Sequence, residues 1–183
     1  MKTLKRIAFT LFLLLIATVV FRSWLYNHMV SYKSIAARNA YSLTDKSLIS
    51  ELEKEIPGSP TPEQLIEQAL AFTANQLTYS THQQSANPNK LYYSHNAHCV
   101  GYAAYYAACC NHLFVKHNYK DWRAAPVAGQ LYLLGVNVHP YFHSPFFKDH
   151  DFVLLTNSKT GETIAIDPSL YDYTFIKEVS FKP

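Results

Sequence analysis

From Ile7 to Phe21 the chain is one apolar run of fifteen residues, with Lys2, Lys5 and Arg6 before it and Arg22 after it. Beyond it the apolar positions become periodic. Leu48, Ile49, Leu52 and Ile56 share one helical face if a helix begins at Thr44 or Asp45. No Gly or Pro occurs before Pro57-Gly58, so the segment from Ser23 to about Ala40 reads as a helical stalk continuing the first helix. Pro57-Gly58-Ser59-Pro60 is the clearest boundary in the chain. Thr61-Pro62-Glu63 then opens a helix with a capping hydroxyl, Pro at its first position and an acid in its first turn, and Leu65, Ile66, Ala69, Phe72 and Leu77 form its apolar stripe.

Residues 80–98 are polar and read as a loop. An Ala- and Tyr-rich run from Cys99 to near His112 predicts a helix with Cys99 in its first turn. Alternation and β-branching over Trp122–Val138 predict one or two strands broken near Gly129, followed by an aromatic loop over His139–Lys148. Two strands follow at about 150–157 and 162–167, joined by the turn Ser158-Lys159-Thr160-Gly161, with a last strand expected near Tyr173–Phe181. Helices first and an antiparallel sheet after them make the fold class α+β. The expected organisation is a membrane segment over 1–30, a stalk over 31–58 and one domain over 59–183.

Charge changes this picture little. Four of the 16 basic residues (Lys2, Lys5, Arg6 and Arg22) lie in or beside the apolar run, and the remaining 12 face 13 acidic residues. No basic stripe is left, which argues against nucleic acid as a partner. The basic start and apolar run read as a signal anchor that holds the domain at the cell membrane, on its extracytoplasmic (periplasmic or surface) side. A cleaved signal peptide is the alternative, although Ser34-Ile35-Ala36, the nearest small-x-small site, lies far from the run.

Three cysteines bring in chemistry. Cys109 and Cys110 are adjacent inside the Ala-rich helix and read as buried small hydrophobes. Cys99 stands where a helix N-terminus favours thiolate over thiol. His150 heads a strand and Asp167 closes the next. If Asn157 faces Glu162 across the hairpin, Phe152 faces Asp167, and His150 and Asp167 share a face, while Asp149 and Asp151 point away. Cysteine, histidine and aspartate complete the parts for thiol nucleophilic catalysis. The Cys99 amide is one oxyanion donor; Gln83, Gln84 and Asn96 are candidates for the second, with Tyr102 and Phe152 as further substrate-contact candidates. Tyr92, Tyr93, Tyr141 and Phe142 are candidate cleft walls.

Cys99-Val-Gly-Tyr-Ala opening a helix, His150 opening a strand and Asp167-Pro168 ending another resemble the transglutaminase-like cysteine hydrolases and peptidases, over about Pro62 to Asp172. The resemblance implies a papain-like core, a Cys99–His150–Asp167 triad, a peptide or protein substrate and no cofactor. Asp151 departs from it, standing where the family commonly has a small residue. The alternatives are a non-catalytic envelope-binding module, and a zinc site drawn from His95, His98, Cys99, His139 and His143. Hydrolysis, deamidation and transamidation all stay open, as does the oligomeric state.

Overall fold

The N-terminal apolar run is helical over α1 (Lys2–Val20), and the axis turns by 72° at Phe21 into α2 (Arg22–Met29). The computed structural model describes residues 2–54, 56, 58–82 and 85–183. No single helix among them is long and apolar enough to cross a membrane. The helix expected to continue over Ser23 to about Ala40 ends at Met29. The chain instead enters strand β1 (Val30–Ala37), in which Ser31 and Tyr32 are buried, and then helix α3 (Lys46–Glu53), where Asp45 accepts the Ser47 and Leu48 amides. Leu48 and Leu52 are fully buried in the main core. A domain beginning at residue 59 would lose all of this. A run without Gly or Pro permits a helix but does not require one. Here pairing with β4 decides, because it satisfies the backbone of residues 30–37 while burying Tyr32.

Helix α4 (Pro62–Gln76) starts with a full capping box: the Thr61 hydroxyl accepts the Gln64 amide, and Gln64 accepts the Thr61 amide. Short strand β2 (Thr78–Tyr79) pairs in parallel with β3 (Asn96–Ala97). Between them lies α5 (Pro88–Ser94), a helix inside the expected loop, capped by Asn87 and ended by His95 at φ 57°. Helix α6 (Cys99–Lys116) follows and is buried around most of its circumference, which its Ala, Gly and Cys residues make sterically possible. A Cβ at Gly101 would stand 2.8 Å from the Ala97 Cβ, so only glycine lets this first turn close on β3.

The main sheet runs β1-β4-β6-β7 and is antiparallel throughout, with β4 (Trp122–Leu133) central and β5 (Val136–Asn137) folding back on its end. Gly129 does not break β4, contrary to the expected interruption. The Phe152 ring and the Lys33 carbonyl press against the place where its Cβ would be. β6 (His150–Asn157) and β7 (Thr163–Ile166) pair in the register expected of the hairpin, with Val153 opposite Ile166. The last strand is absent as such. Asp167 caps α7 (Pro168–Thr174), and the tail beyond it makes only a single bridge, Tyr32 to Phe181. Asp-Pro-Ser is a helix-start signal as much as a turn, and here the carboxylate finds the Ser169 and Leu170 amides. Helix α6 packs on β4 and β6, α4 packs on α6 and α7, and Leu48 and Leu52 of α3 join the same core as Val153, Leu155 and Ile166; Tyr32, Val127, Phe152 and Ala165 form a smaller core elsewhere on the sheet.

Candidate active site

Local structure brings Cys99 to the sheet's end. His98 caps α6, its Nδ1 accepting the Val100 amide at 3.3 Å, and Cys99 is the first helical residue, 7% exposed. Burial pushes the thiol pKa up, but the neighbouring His150 and His98 imidazoles and the Asp151 backbone amide pull it down further, to about 7. Burial disfavours the charged form of His150, yet the charge and hydrogen bond of Asp167 raise its pKa well above the usual imidazole value. Burial likewise raises the Asp167 carboxyl, and His150 with Ser169 and Leu170 reverses this, so the pKa ends below the ordinary one. All three directions favour thiolate, imidazolium and carboxylate together.

The Asp167 carboxylate is 1% exposed, and both its oxygens are occupied. Oδ1 accepts the Ser169 amide (3.0 Å) and hydroxyl (2.7 Å) and the Leu170 amide (3.0 Å). Oδ2 accepts His150 Nε2 at 2.6 Å and the Tyr32 hydroxyl at 2.9 Å. With Nε2 engaged, Nδ1 is the ring nitrogen left for the thiol. Because Tyr32 spends its one proton on Asp167, the Tyr26 hydroxyl must donate to Tyr32, 2.7 Å away. The strand alternation that paired His150 with Asp167 in sequence is thus realised. Tyr26 and Tyr32 were not legible, since they come from the segment read as stalk.

Asp151 points away from His150, as expected. It is fully buried and held by Arg38, whose Nε (2.8 Å) and terminal N–H (2.9 Å) donate to its two oxygens; Arg38 also reaches Asp149 at 2.9 Å. This pair accounts for an acid where the resembled family commonly carries a small residue.

The other candidates separate. Gln83 and Gln84 lie outside the described residues. Asn96 is exposed, and its amide donates to Ser94 O. Tyr102 is buried and ties α6 to α7 through Asp172 at 2.7 Å, and Phe152 lies in the smaller core against Tyr32; neither side chain lines the cleft. Tyr92 and Tyr93 bond Glu51 and Asp45 on the α3 side, and Tyr141 is exposed. Phe142 is a wall. With Tyr79, Phe146 and Phe147 it lines a cavity of about 220 Å³ that contains Cys99 and His150. A second cavity, about 340 Å³, is lined by His150 and Asp167 together with Tyr26, Tyr32, Leu131 and Tyr173. Of the histidines considered for zinc, His95 bonds Gln76 O, and His139 is buried between Leu131 N and Phe147 O, where it holds the aromatic loop in place. No group of three or more His, Cys, Asp or Glu among the described residues is placed to hold a metal ion. His98 is the residue whose part was missed: besides capping α6 it is a second imidazole beside Cys99, and the thiol raises its pKa.

No known family model, no curated protein and no solved structure matches this chain.

Proposed function

We propose that this protein is a thiol hydrolase of amide bonds in peptides or proteins, built on a papain-like, transglutaminase-like core and attached to the membrane through α1. The observation that carries the reading is that Cys99 and His150 line one cavity while His150 is tied to the buried Asp167 by the 2.6 Å bond. The Cys99 thiolate attacks the amide carbonyl carbon, and the oxyanion that forms accepts the Cys99 backbone N–H, which the start of α6 leaves without an intrahelical partner. As the C–N bond breaks, the proton on His150 Nδ1 passes to the departing nitrogen, leaving a thioester on Cys99. His150 then takes a proton from water, whose oxygen attacks the thioester; the acid leaves and Cys99 returns as thiolate. Asp167 holds one tautomer and supports the imidazolium without itself taking the proton. An amine in place of that water would make the same intermediate a transamidase's.

The apolar residues of α1 are exposed, among them Phe12, Leu15 and Val19, and Trp24 and Leu25 follow beyond the bend. Lipid around α1 removes this surface from water and leaves Arg22 at the interface. The domain then sits outside the cytoplasm, with the basic start inside.

The test is alkylation of Cys99 by iodoacetamide from pH 4 to 9 in the full-length protein, followed by mass spectrometry. The rate should fall off only below about pH 7. In His150→Ala the midpoint should move up, since burial remains while the strongest group that lowers it is gone. A midpoint indifferent to His150 would refute catalysis and favour the binding-module reading.

A further inference from the structure

Beside the catalytic cleft lies a larger groove of about 710 Å³, and it is apolar along nearly its whole length. Its floor and walls come from the two chain ends: Val19, Leu25 and Met29 from one, Phe175 and Ile176 from the other. The groove is built rather than incidental. Arg22 Nε donates to Thr174 O at 2.6 Å, Asn27 donates to Glu178 O at 3.0 Å, and Ser180 N donates back to Asn27 at 2.7 Å, which clamps α2 onto the tail. Phe175 is held at φ 56°, a backbone conformation that costs a bulky residue and that glycine would adopt freely. The cost is kept at a residue that remains exposed as a groove wall.

Two features identify the occupant. Tyr26 and Tyr173 wall both this groove and the cavity at His150 and Asp167, and Tyr79, Leu131 and His150 wall both that cavity and the one that holds Cys99, so the three adjoin in series. One end is formed by Thr18, Val19 and Arg22, where α1 finishes; Tyr173 and Phe175 stand exposed along it, and the exposed Trp24 follows Arg22 in α2. Aromatic residues beside an apolar helix and a terminal arginine mark the level of lipid headgroups. An apolar trough that opens at that level and adjoins the cavity at His150 and Asp167 suits a hydrocarbon chain drawn from the bilayer.

We infer that the substrate is a lipid-bearing amide, with a long alkyl or acyl chain on one arm of the scissile bond lying in this trough. The inference rests on the thiol-hydrolase reading and names its substrate class. The chain's burial contributes binding, and the carbonyl reaches Cys99 past His150, through the cavity that shares Tyr79 and Leu131 with the cleft.

The experiment uses full-length protein in phosphatidylcholine nanodiscs and two probes, iodoacetamide and N-dodecyl iodoacetamide. In either reaction the Cys99 sulfur displaces iodide and forms one S–C bond. The quantity read is the ratio of the dodecyl rate to the plain rate at Cys99, in wild type and in Leu25→Glu, which sets a charge in the trough. Met29→Lys is the second variant should the first not fold. The ratio cancels any change in the thiol itself, and identical discs cancel partitioning of the probe. The expected result is a ratio about tenfold or more higher in wild type than in the variant. Equal ratios would overturn the trough. That failure differs from loss of the catalytic reading, which would show as slow plain iodoacetamide labelling unaffected by His150→Ala.

Discussion

At the scale of single residues the decisive group is the Asp167 carboxylate, which is buried and accepts five hydrogen bonds. Its charge is tolerable there because each oxygen is satisfied and His150 is opposite in sign. Asp167→Asn removes that charge, so His150 loses its reason to stay protonated and the Cys99 pKa rises above about 7. Alkylation of Cys99 at pH 6 should then slow by about tenfold or more. The same substitution tests linkage. A carboxyl whose folded pKa is depressed adds stability above its unfolded pKa, near 4, and loses it as pH falls through the folded value. The stability gap between wild type and Asp167→Asn in urea should therefore shrink as pH drops below about 4; a gap unchanged by acid would contradict the pairing. Tyr32→Phe deletes one donor and leaves a lone pair of a buried carboxylate unmet, a loss of about 1.5–3 kcal/mol in the same urea assay.

Among elements, the contacts of β1 matter most, because this edge strand carries support to the site from both of its ends. Tyr32 near its start reaches Asp167, and Arg38 just past its end neutralises Asp151 on β6. Arg38→Met strands a fully buried carboxylate. The expected cost is about 3 kcal/mol, the lower end for broken buried pairs because Arg38 is itself about one-third exposed. Arg38→Met with Asp151→Leu should recover most of it, since the orphaned charge is then gone. If the double variant is as unstable as the single one, packing rather than charge holds the strand. Gly129→Ala has no such rescue. The new methyl meets the Lys33 carbonyl and the Phe152 ring, so the β1–β4–β6 contact must open, at about 1–3 kcal/mol.

For the whole molecule, the two chain ends close on each other. Tyr32 N donates to Ser180 O, Lys182 N donates to Tyr32 O, and the α2–tail clamp adds to these. The fold consequently depends on its N-terminal part. A fragment beginning at Ser59 lacks β1, Arg38, Leu48 and Leu52, and exposes the core around Leu65 and Phe114. It should fail to unfold cooperatively, whereas a fragment beginning at Arg22 should give a single transition by circular dichroism. A cooperative Ser59 fragment would show that β1 and α3 are appendages. The dependence also bears on cleavage. Removal of the chain through Ala36 would take Tyr26 and Tyr32 from behind Asp167, so a mature form of that kind would lose the Asp167 supports along with the anchor.

The sequence by itself determined whatever rests on near neighbours. Thr61, Asp45 and the Cys99 helix start were legible because caps and 3.6-residue periodicity act within one turn. The His150–Asp167 face was legible because a four-residue hairpin turn sets the register for both strands. Residues far apart in the chain left no such signal. Whether 30–37 coils as a stalk or pairs as a strand depends on β4, ninety residues on. That choice brings Tyr32 and Arg38 to the site, and it turns Asp151 from an anomaly into half of an ion pair. Only the tertiary structure could make it, because unmet backbone groups and buried charge are satisfied by partners that local sequence does not name.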